Sequence, residues 1–390
     1  MDQTAHNNTL DLQAQKLRSA ITRSLRKQGY SVRKGLINIP EGASKESLRN
    51  LHQLAVKRKL ADAKAQLHHY EDRLIQFIAN GDQVQPDRIK PRLVLVNPKS
   101  LDELLFRYIS LHWSIPVSSG YGRRIRFLVY DDNNNKIIGL FGLSDPVYSM
   151  SARDQWIGWD PETKQRNLYH VMNAHILGAV PPYTGLLCGK LIALLTLSNE
   201  VRAAFREKYA CNVSLIRKVQ RKPYLALLTT TSAFGRSSIY NRIRLNGSDF
   251  WKSIGYTQGT GEFHFSNGVY SALRSFVIER REPKMRNAAW GTGFRNKREI
   301  IRSCLAELDM SQQLLNHGIK REIFVAPLGP NVSKFLKGEI RRPSLYDRPA
   351  ASLAEEFANK WLLARAERLP SFREFSRESY RLWEGGSKKR

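Results

Sequence analysis

The chain has 390 residues, with 63 Lys and Arg against 35 Asp and Glu, a formal net charge of +28 and a pI near 10.2. Hydrophobic residues make up 42% and aromatics 10%, enough for a sizeable core, so a disordered chain is excluded as the default. The three cysteines, Cys188, Cys211 and Cys304, are widely spaced and odd in number, which argues against a disulfide framework.

At roughly 100–200 residues per domain, two or three domains are expected. Bound phosphates neutralise so large a positive charge while releasing condensed counterions. Nucleic acid is therefore the leading expected partner. A basic surface kept for solubility and an acidic protein partner are the alternatives. The start, Met1 to Thr4, is polar and lacks an apolar core segment, so no signal peptide is expected. The most apolar stretch, Leu186 to Leu197, contains Lys190 and is about half the ~20 residues a membrane span needs. A cytosolic location and no membrane association are expected.

Apolar residues at helical spacing (Leu10, Ala14, Leu17, Ile21, Leu25) predict a helix over 10–28, with Asn8 or Thr9 placed to cap it and Gly29 to end it. A short extended piece follows at 35–40. Ser44 is positioned to cap one long helix running to Gly81. From Pro91 the texture changes. Arg92 to Val96 reads as a strand and 101–112 as a helix. Ile125 to Tyr130 and Lys136 to Leu143 flank Asp131-Asp132-Asn133-Asn134-Asn135, the pattern of a β-hairpin. A strand over 171–180 is stopped by Pro181-Pro182 and leads to a helix over about 185–209. Tyr224 to Thr230 reads as a strand, 237–246 as a weaker helix, and Tyr256 as the start of a further extended segment. Helices are predicted at 268–279 and about 297–316, a late strand at 321–327, a linker at 341–349 and a last helix at 351–369.

Several catalytic signatures fail on inspection. Gly185-Leu186-Leu187-Cys188-Gly189-Lys190 is one residue short of a P-loop, and Leu191 stands where Ser or Thr must ligate magnesium. Gly291-Thr292-Gly293 lacks the third glycine of a dinucleotide fingerprint. No Cys/His cluster has zinc-ligand spacing, and no Gly-x-Ser-x-Gly elbow occurs. No metal site is expected, and no catalytic residue can be assigned.

The most informative stretch is Arg153-Asp154-Gln155-Trp156-Ile157-Gly158-Trp159-Asp160. Two tryptophans bracket a small turn between charged groups. One reading is a packed aromatic loop closing the sheet. The other is a stacking platform for a base or an acyl-carrying cofactor, in a pocket shared by Asp154, Trp156, Trp159, Asn173 and His175. Asn173 to Val180 then leads through Pro181-Pro182-Tyr183-Thr184-Gly185 into a helix. This strand–turn–helix–strand–helix order resembles the core of N-acetyltransferase-like (GNAT) proteins. The resemblance implies an α/β (α+β) fold with a mixed, mostly antiparallel sheet flanked by helices, with helical extensions at both ends. It also implies acetyl-coenzyme A as a cofactor, its pyrophosphate received near Thr184, Gly185 and Gly189 at a helix N-terminus.

A second resemblance covers roughly 30–340. Arg153 to Trp159, Arg166-Asn167-Leu168 and Asn173 are similar to the heart of the Druantia DruA family. Tyr209, Leu228-Thr229-Thr230, Ser238-Ile239-Tyr240, Gly255-Tyr256-Thr257-Gln258-Gly259 and Phe324-Val325-Ala326-Pro327-Leu328 follow in the family's order. This chain has Thr229-Thr230 where many of its relatives carry Glu-Thr. The resemblance implies a component of the multi-protein Druantia anti-phage defence system, with a helicase-like protein among its partners.

The expected organisation is an N-terminal basic helical region (1–90), a central α/β core (91–266), a basic helical segment returning a strand to that core (267–340), and a C-terminal linker, helix and tail (341–390). Candidate nucleic-acid contacts are Lys57, Arg58, Lys59, Arg123, Arg124, Arg126, Arg217, Lys218, Arg221, Lys222, Arg280 and Arg281. Their spread along the chain suits a long or wrapping contact.

Overall fold

The computed structural model describes residues 2–39, 42–118, 120, 122–211, 222–245, 247–266, 268–280 and 294–383. It begins with helix α1 (Asp2–Lys27), which starts well before the expected Asn8–Thr9 cap and ends at Gly29, whose φ of +102° suits glycine. The extended piece is one arm of a hairpin pairing Ser31–Arg33 with Leu36–Asn38. Ser44 caps α2 (Lys45–Leu67), accepting from Ser47 N at 3.1 Å. The helix does not run on to Gly81. Short turns follow Leu67, because Glu71 turns inward, where its Oε1 accepts from the Tyr108 hydroxyl at 2.9 Å and Leu382 N at 2.7 Å.

The centre is a seven-stranded sheet. In chain order its parts are β1 (Pro91–Leu95), α3 (Leu101–Ser110), β2 (Arg124–Asp131), β3 (Lys136–Ser144), α4 (Ser151–Ile157), α5 (Pro161–Asn167), β4 (Val171–Ala179), α6 (Cys188–Leu195), α7 (Asn199–Tyr209), β5 (Leu227–Thr231), β6 (Lys252–Tyr256), α8 (Val269–Ile278), α9 (Phe294–Glu307), β7 (Glu322–Pro327), α10 (Val332–Lys337) and α11 (Ala350–Phe357). The strand order is β6-β7-β5-β4-β3-β2-β1. Every neighbouring pair is antiparallel except β4 and β5, which run parallel over Val171–Leu227, Met172–Leu228 and Asn173–Thr229. The expected mixed, mostly antiparallel sheet is therefore present.

Alternation within the strands gives each face its character. On one face Phe127, Phe141, Leu143, Met172, Leu228 and Phe324 form a single buried cluster under α6, α7 and α11. The other face carries two clusters. Leu128, Leu140 and Ile176 lie under α3 and the end of α2. Leu227 and Val325 lie under α4 and α10. A further apolar cluster joins α1, the start of α2, α8 and α9.

Several expected elements are corrected. The helix over 185–209 is two helices, α6 and α7, separated at Thr196–Ser198. Thr196 Oγ1 donates back to Ala193 O at 2.7 Å and competes with the helical ladder. The segment 237–246 is not a helix. It holds a single turn at Tyr240–Arg242 and a small hairpin, Arg244–Leu245 with Ser248–Asp249, which lay Tyr240, Phe250 and Trp251 onto the α6 face. The segment at Tyr256 is the end of β6 and not its beginning. The stretch around Trp156 is helical, ending at Gly158 in the left-handed region (φ +81°). The glycine repeat at 291–293 lies outside the described residues.

Candidate functional site

The two clusters on the second sheet face do not meet. Between them the floor is polar, formed by Ser144, Asn173, His175 and Thr229 where β3, β4 and β5 run side by side. The cause is a bulge in β4. Gly142 pairs with Ile176 and Leu143 with Ala174, so His175 is an extra residue with no partner of its own. Adding one residue returns Ile176 to the face that Asn173 occupies.

A side chain at position 142 has no room beside His175. A Cβ on Gly142 would lie 2.7 Å from His175 Cε1, and one on Gly120, where φ is +74°, would lie 3.2 Å from the same atom. Thr229 Oγ1 donates to Asn173 Oδ1 at 3.0 Å, and Thr230 Oγ1 to Ala174 O at 2.8 Å, tying the parallel seam together. Thr229, the first residue of the Thr229-Thr230 pair, is thus bonded to Asn173.

Three cations surround the imidazole. Burial first, then the charges of Arg126, Arg124 and Lys59, hold His175 down to about 4, so it is neutral at pH 7, and its Nδ1 is enclosed without a partner. Lys59 reaches down from α2, half-buried, and donates to Val117 O; burial lowers its pKa. Arg126 is held by Glu103 at 2.8 Å and lies over the Phe106 ring. Arg124 is exposed. The arrangement sets positive charge around a neutral imidazole, which suits an anion.

The predicted cations divide into two kinds. Lys57, Arg58, Arg124 and Lys222 are exposed, with Arg58 paired to Asp62 at 3.0 Å. Arg123 is instead structural: it bonds Asp145 at 2.7 Å and lies 4.2 Å from the Tyr169 ring centre. Arg280 lies over Phe276 at 3.7 Å and bonds Gln13. Arg217, Lys218, Arg221 and Arg281 lie outside the described residues.

The predicted five-residue pocket falls into two places. Asp154 bonds buried Arg153 at 2.6 Å and Lys164 at 2.7 Å. Trp159 Nε1 donates to Leu336 O at 2.6 Å, and both Trp156 and Trp159 pack on the cluster of Val332, Phe335 and Leu336. This favours the packed aromatic corner over the stacking platform. Asn173 and His175 belong to the sheet recess.

At the predicted phosphate turn, the amides of Gly185, Leu186, Leu187 and Cys188 all donate to carbonyls of the turn itself. Thr184 Oγ1 donates to Ala179 O, Arg365 Nε to Gly185 O, and Gly189 faces Ile239. Beside this turn the chain brings together cations that sequence spacing did not connect. Lys190 and Lys360 lie 4.4 and 5.4 Å from the Trp361 ring centre, and burial with the charges of Arg242 and Lys360 lowers the Lys190 pKa. Among the described residues no group of three or more His, Cys, Asp or Glu is placed to hold a metal ion, and no helix is long and apolar enough to cross a membrane.

The profile of the family described as "Druantia protein DruA" matches residues 42–338. The chain belongs to this family. A curated relative, "Druantia protein DruA" of Escherichia coli (strain UMEA 4076-1), is 36% identical over 368 residues, covering 93% of this chain and 90% of its own length. No solved structure matches the chain. The DruA-family span takes in α2, all seven sheet strands and α10. The His175 recess and the Arg153–Asp154 corner both lie inside it, whereas Lys360 and Trp361 lie beyond its end.

Proposed function

We propose that this chain is a nucleic-acid-binding component of the Druantia anti-phage defence system, working beside other subunits of that system, a helicase-like protein among them. The family supports the defence role. The observation that carries the binding role is the recess around His175, where Lys59, Arg124 and Arg126 converge while the nearby acids Asp145 and Glu103 are already bonded to Arg123 and Arg126. The exposed Lys57, Arg58 and Lys222 add to the net charge of +28.

The test is duplex DNA binding by fluorescence anisotropy across a salt series. If six or more phosphates are contacted, affinity is expected to fall by about 10³-fold or more between 50 and 200 mM salt. The double variant Lys57→Gln/Arg124→Gln should lower the slope of log K against log salt by roughly two. Binding that ignores salt, or no binding at low salt, would reject this reading. A subunit complex that survives nuclease treatment without any DNA affinity would instead favour docking to an acidic protein partner.

A second reading, a GNAT-like transferase acting on nucleic acid or protein, is favoured by topology. The single parallel pair β4/β5, the bulge in β4 and a helix directly after it suit the arrangement that receives acetyl-coenzyme A. Lys190 and Lys360 beside Trp361, with the Arg242 charge acting on Lys190, offer charge for a pyrophosphate. The internally bonded amides of the 185–188 turn weigh against it. Saturating acetyl-coenzyme A should raise the melting temperature if this reading holds, and an unchanged Tm rejects it.

A further inference from the structure

A group of polar atoms without partners lies where the N-terminal helices meet the approach to β7. Arg321 immediately precedes that strand. Its N–H donates to Thr257 Oγ1 at 3.0 Å and its carbonyl accepts from Thr257 N at 2.8 Å, which fixes the backbone. Arg321 is half-buried overall, with its Nε enclosed and without an acceptor. The Tyr30 hydroxyl and both ring nitrogens of His52 are likewise enclosed and unpartnered. The Arg321 charge acts on Tyr30, His52 and His317, so these groups share one locality. The His52 ring stacks on Phe263 at 3.9 Å, and the His317 ring lies 4.9 Å from the same phenyl group.

A guanidinium keeps its proton in a protein, and a partly desolvated one gains from an acceptor that brings negative charge to it. Among the described residues no carboxylate pairs with Arg321. The acids beside these residues in sequence are engaged elsewhere: Glu322 accepts from Ser237 N, Asn241 and Ser253, and Glu262 pairs with Arg298 at 3.4 Å. The imidazoles carry no negative charge in any protonation state.

We propose that Arg321, Tyr30 and His52 form a binding site for a small oxyanion of the phosphate or carboxylate class. The planar guanidinium matches two oxygens of such an anion, the Tyr30 hydroxyl donates to a further one, and His52 supplies an N–H. The site lies between α2 and the approach to β7; it uses none of the exposed cations Lys57, Arg58, Arg124 and Lys222 and is independent of the nucleic-acid reading.

The test is calorimetric titration of the full chain in phosphate-free buffer with inorganic phosphate, and in parallel with acetate. Saturable binding is expected, with roughly tenfold or greater loss of affinity in Arg321→Met. Tyr30→Phe should weaken binding severalfold, and it carries the test if Arg321→Met does not fold. Without the anion, Arg321→Met is expected to melt no lower than the parent, because it removes a partly desolvated charge with no carboxylate partner among the described residues. Acetate binding with the same dependence on Arg321 supports the site and assigns it to carboxylates. Absence of saturable binding by either anion overturns the proposal. So does binding that survives both substitutions, or binding abolished by the surface control Lys57→Gln.

Discussion

Taking the protein from pH 7.5 to about pH 5.5 in phosphate-free buffer is expected to remove at least about 4 kcal/mol of folding stability. Three histidines of the α2/β7 region carry the effect: His52, His264 and His317, which are 0%, 1% and 4% exposed. Burial is the first cause for each. The Arg321 charge also acts on His52 and His317, and the Lys297 charge on His264. The folded values fall to about 3, 4 and 3 respectively. In the unfolded chain each titrates near its ordinary value of about 6.5.

Between these limits the unfolded state binds more protons, so stability is full above about pH 6.5 and is lost as the pH falls toward 3–4. One unit below the unfolded value, each group costs about 1.4 kcal/mol. A loss near 4 kcal/mol is large against the 5–15 kcal/mol typical of a folded domain. His112 and His175, held to about 3 and 4 by burial, act in the same direction. Urea midpoints measured at half-unit pH steps would check this. A midpoint that stays flat from pH 7 to pH 5 would show that these rings accept protons in the folded state.

Asp154→Ala is expected to cost about 3–5 kcal/mol, measured as a fall in the urea midpoint. The reason is the residue it leaves behind. The Arg153 side chain is fully enclosed, with its guanidinium divided between Asp154 Oδ1 at 2.6 Å and the carbonyls of Val147 and Tyr148 at 2.7 and 3.0 Å. Lys164, mostly buried, holds the other carboxylate oxygen at 2.7 Å. Removing the carboxylate strands two cations against a low-dielectric wall of Trp159 and Tyr148. Asp154→Asn, which keeps the shape and loses the charge, should fall by a similar amount. Glu162→Ala, which breaks the exposed pair with Arg166, should change stability by less than about 1 kcal/mol. Equal, small effects at both acids would make Asp154 an ordinary surface carboxylate.

The parts of the fold that sequence exposed are those governed by local rules. The β2–β3 hairpin follows from alternating apolar residues around Asp131–Asn135, and Asn135 takes the positive φ (+55°) such a turn requires. The Ser44 cap is of the same kind. The breaks at Leu67 and Thr196–Ser198 were hidden because apolar spacing continues through them, and what ends each helix is a bond to a distant or backbone partner. The α4–α5 corner could have been found. Asp160 followed by Pro161 is a helix-start signature, and Asp160 Oδ1 does accept from Glu162 N and Thr163 N at 2.9 Å. The two tryptophans around a small turn suggest a loop instead. The recess is legible only as isolated names. His175 owes its setting to Gly142, Gly120 and Lys59, which a β-bulge and a crossing helix bring to it, and no spacing rule reports either. The same holds for Lys190 and Trp361, which tertiary packing alone joins.

The place of β7 has a consequence for how the molecule is made. This strand is the last of the seven in sequence, yet it lies between β5 and β6 and bonds to both. A chain growing from its N-terminus can pair β1 to β5 in order, but β6 has no sheet neighbour until residues 322–327 emerge. Until then the outer edge of β5 stays open, with Phe324 and Ala326 absent from the core. The approach to the same strand carries Arg321. Completion of the sheet and delivery of Arg321 are therefore one event, late in synthesis, and the nascent protein presents an unpaired strand edge up to that moment.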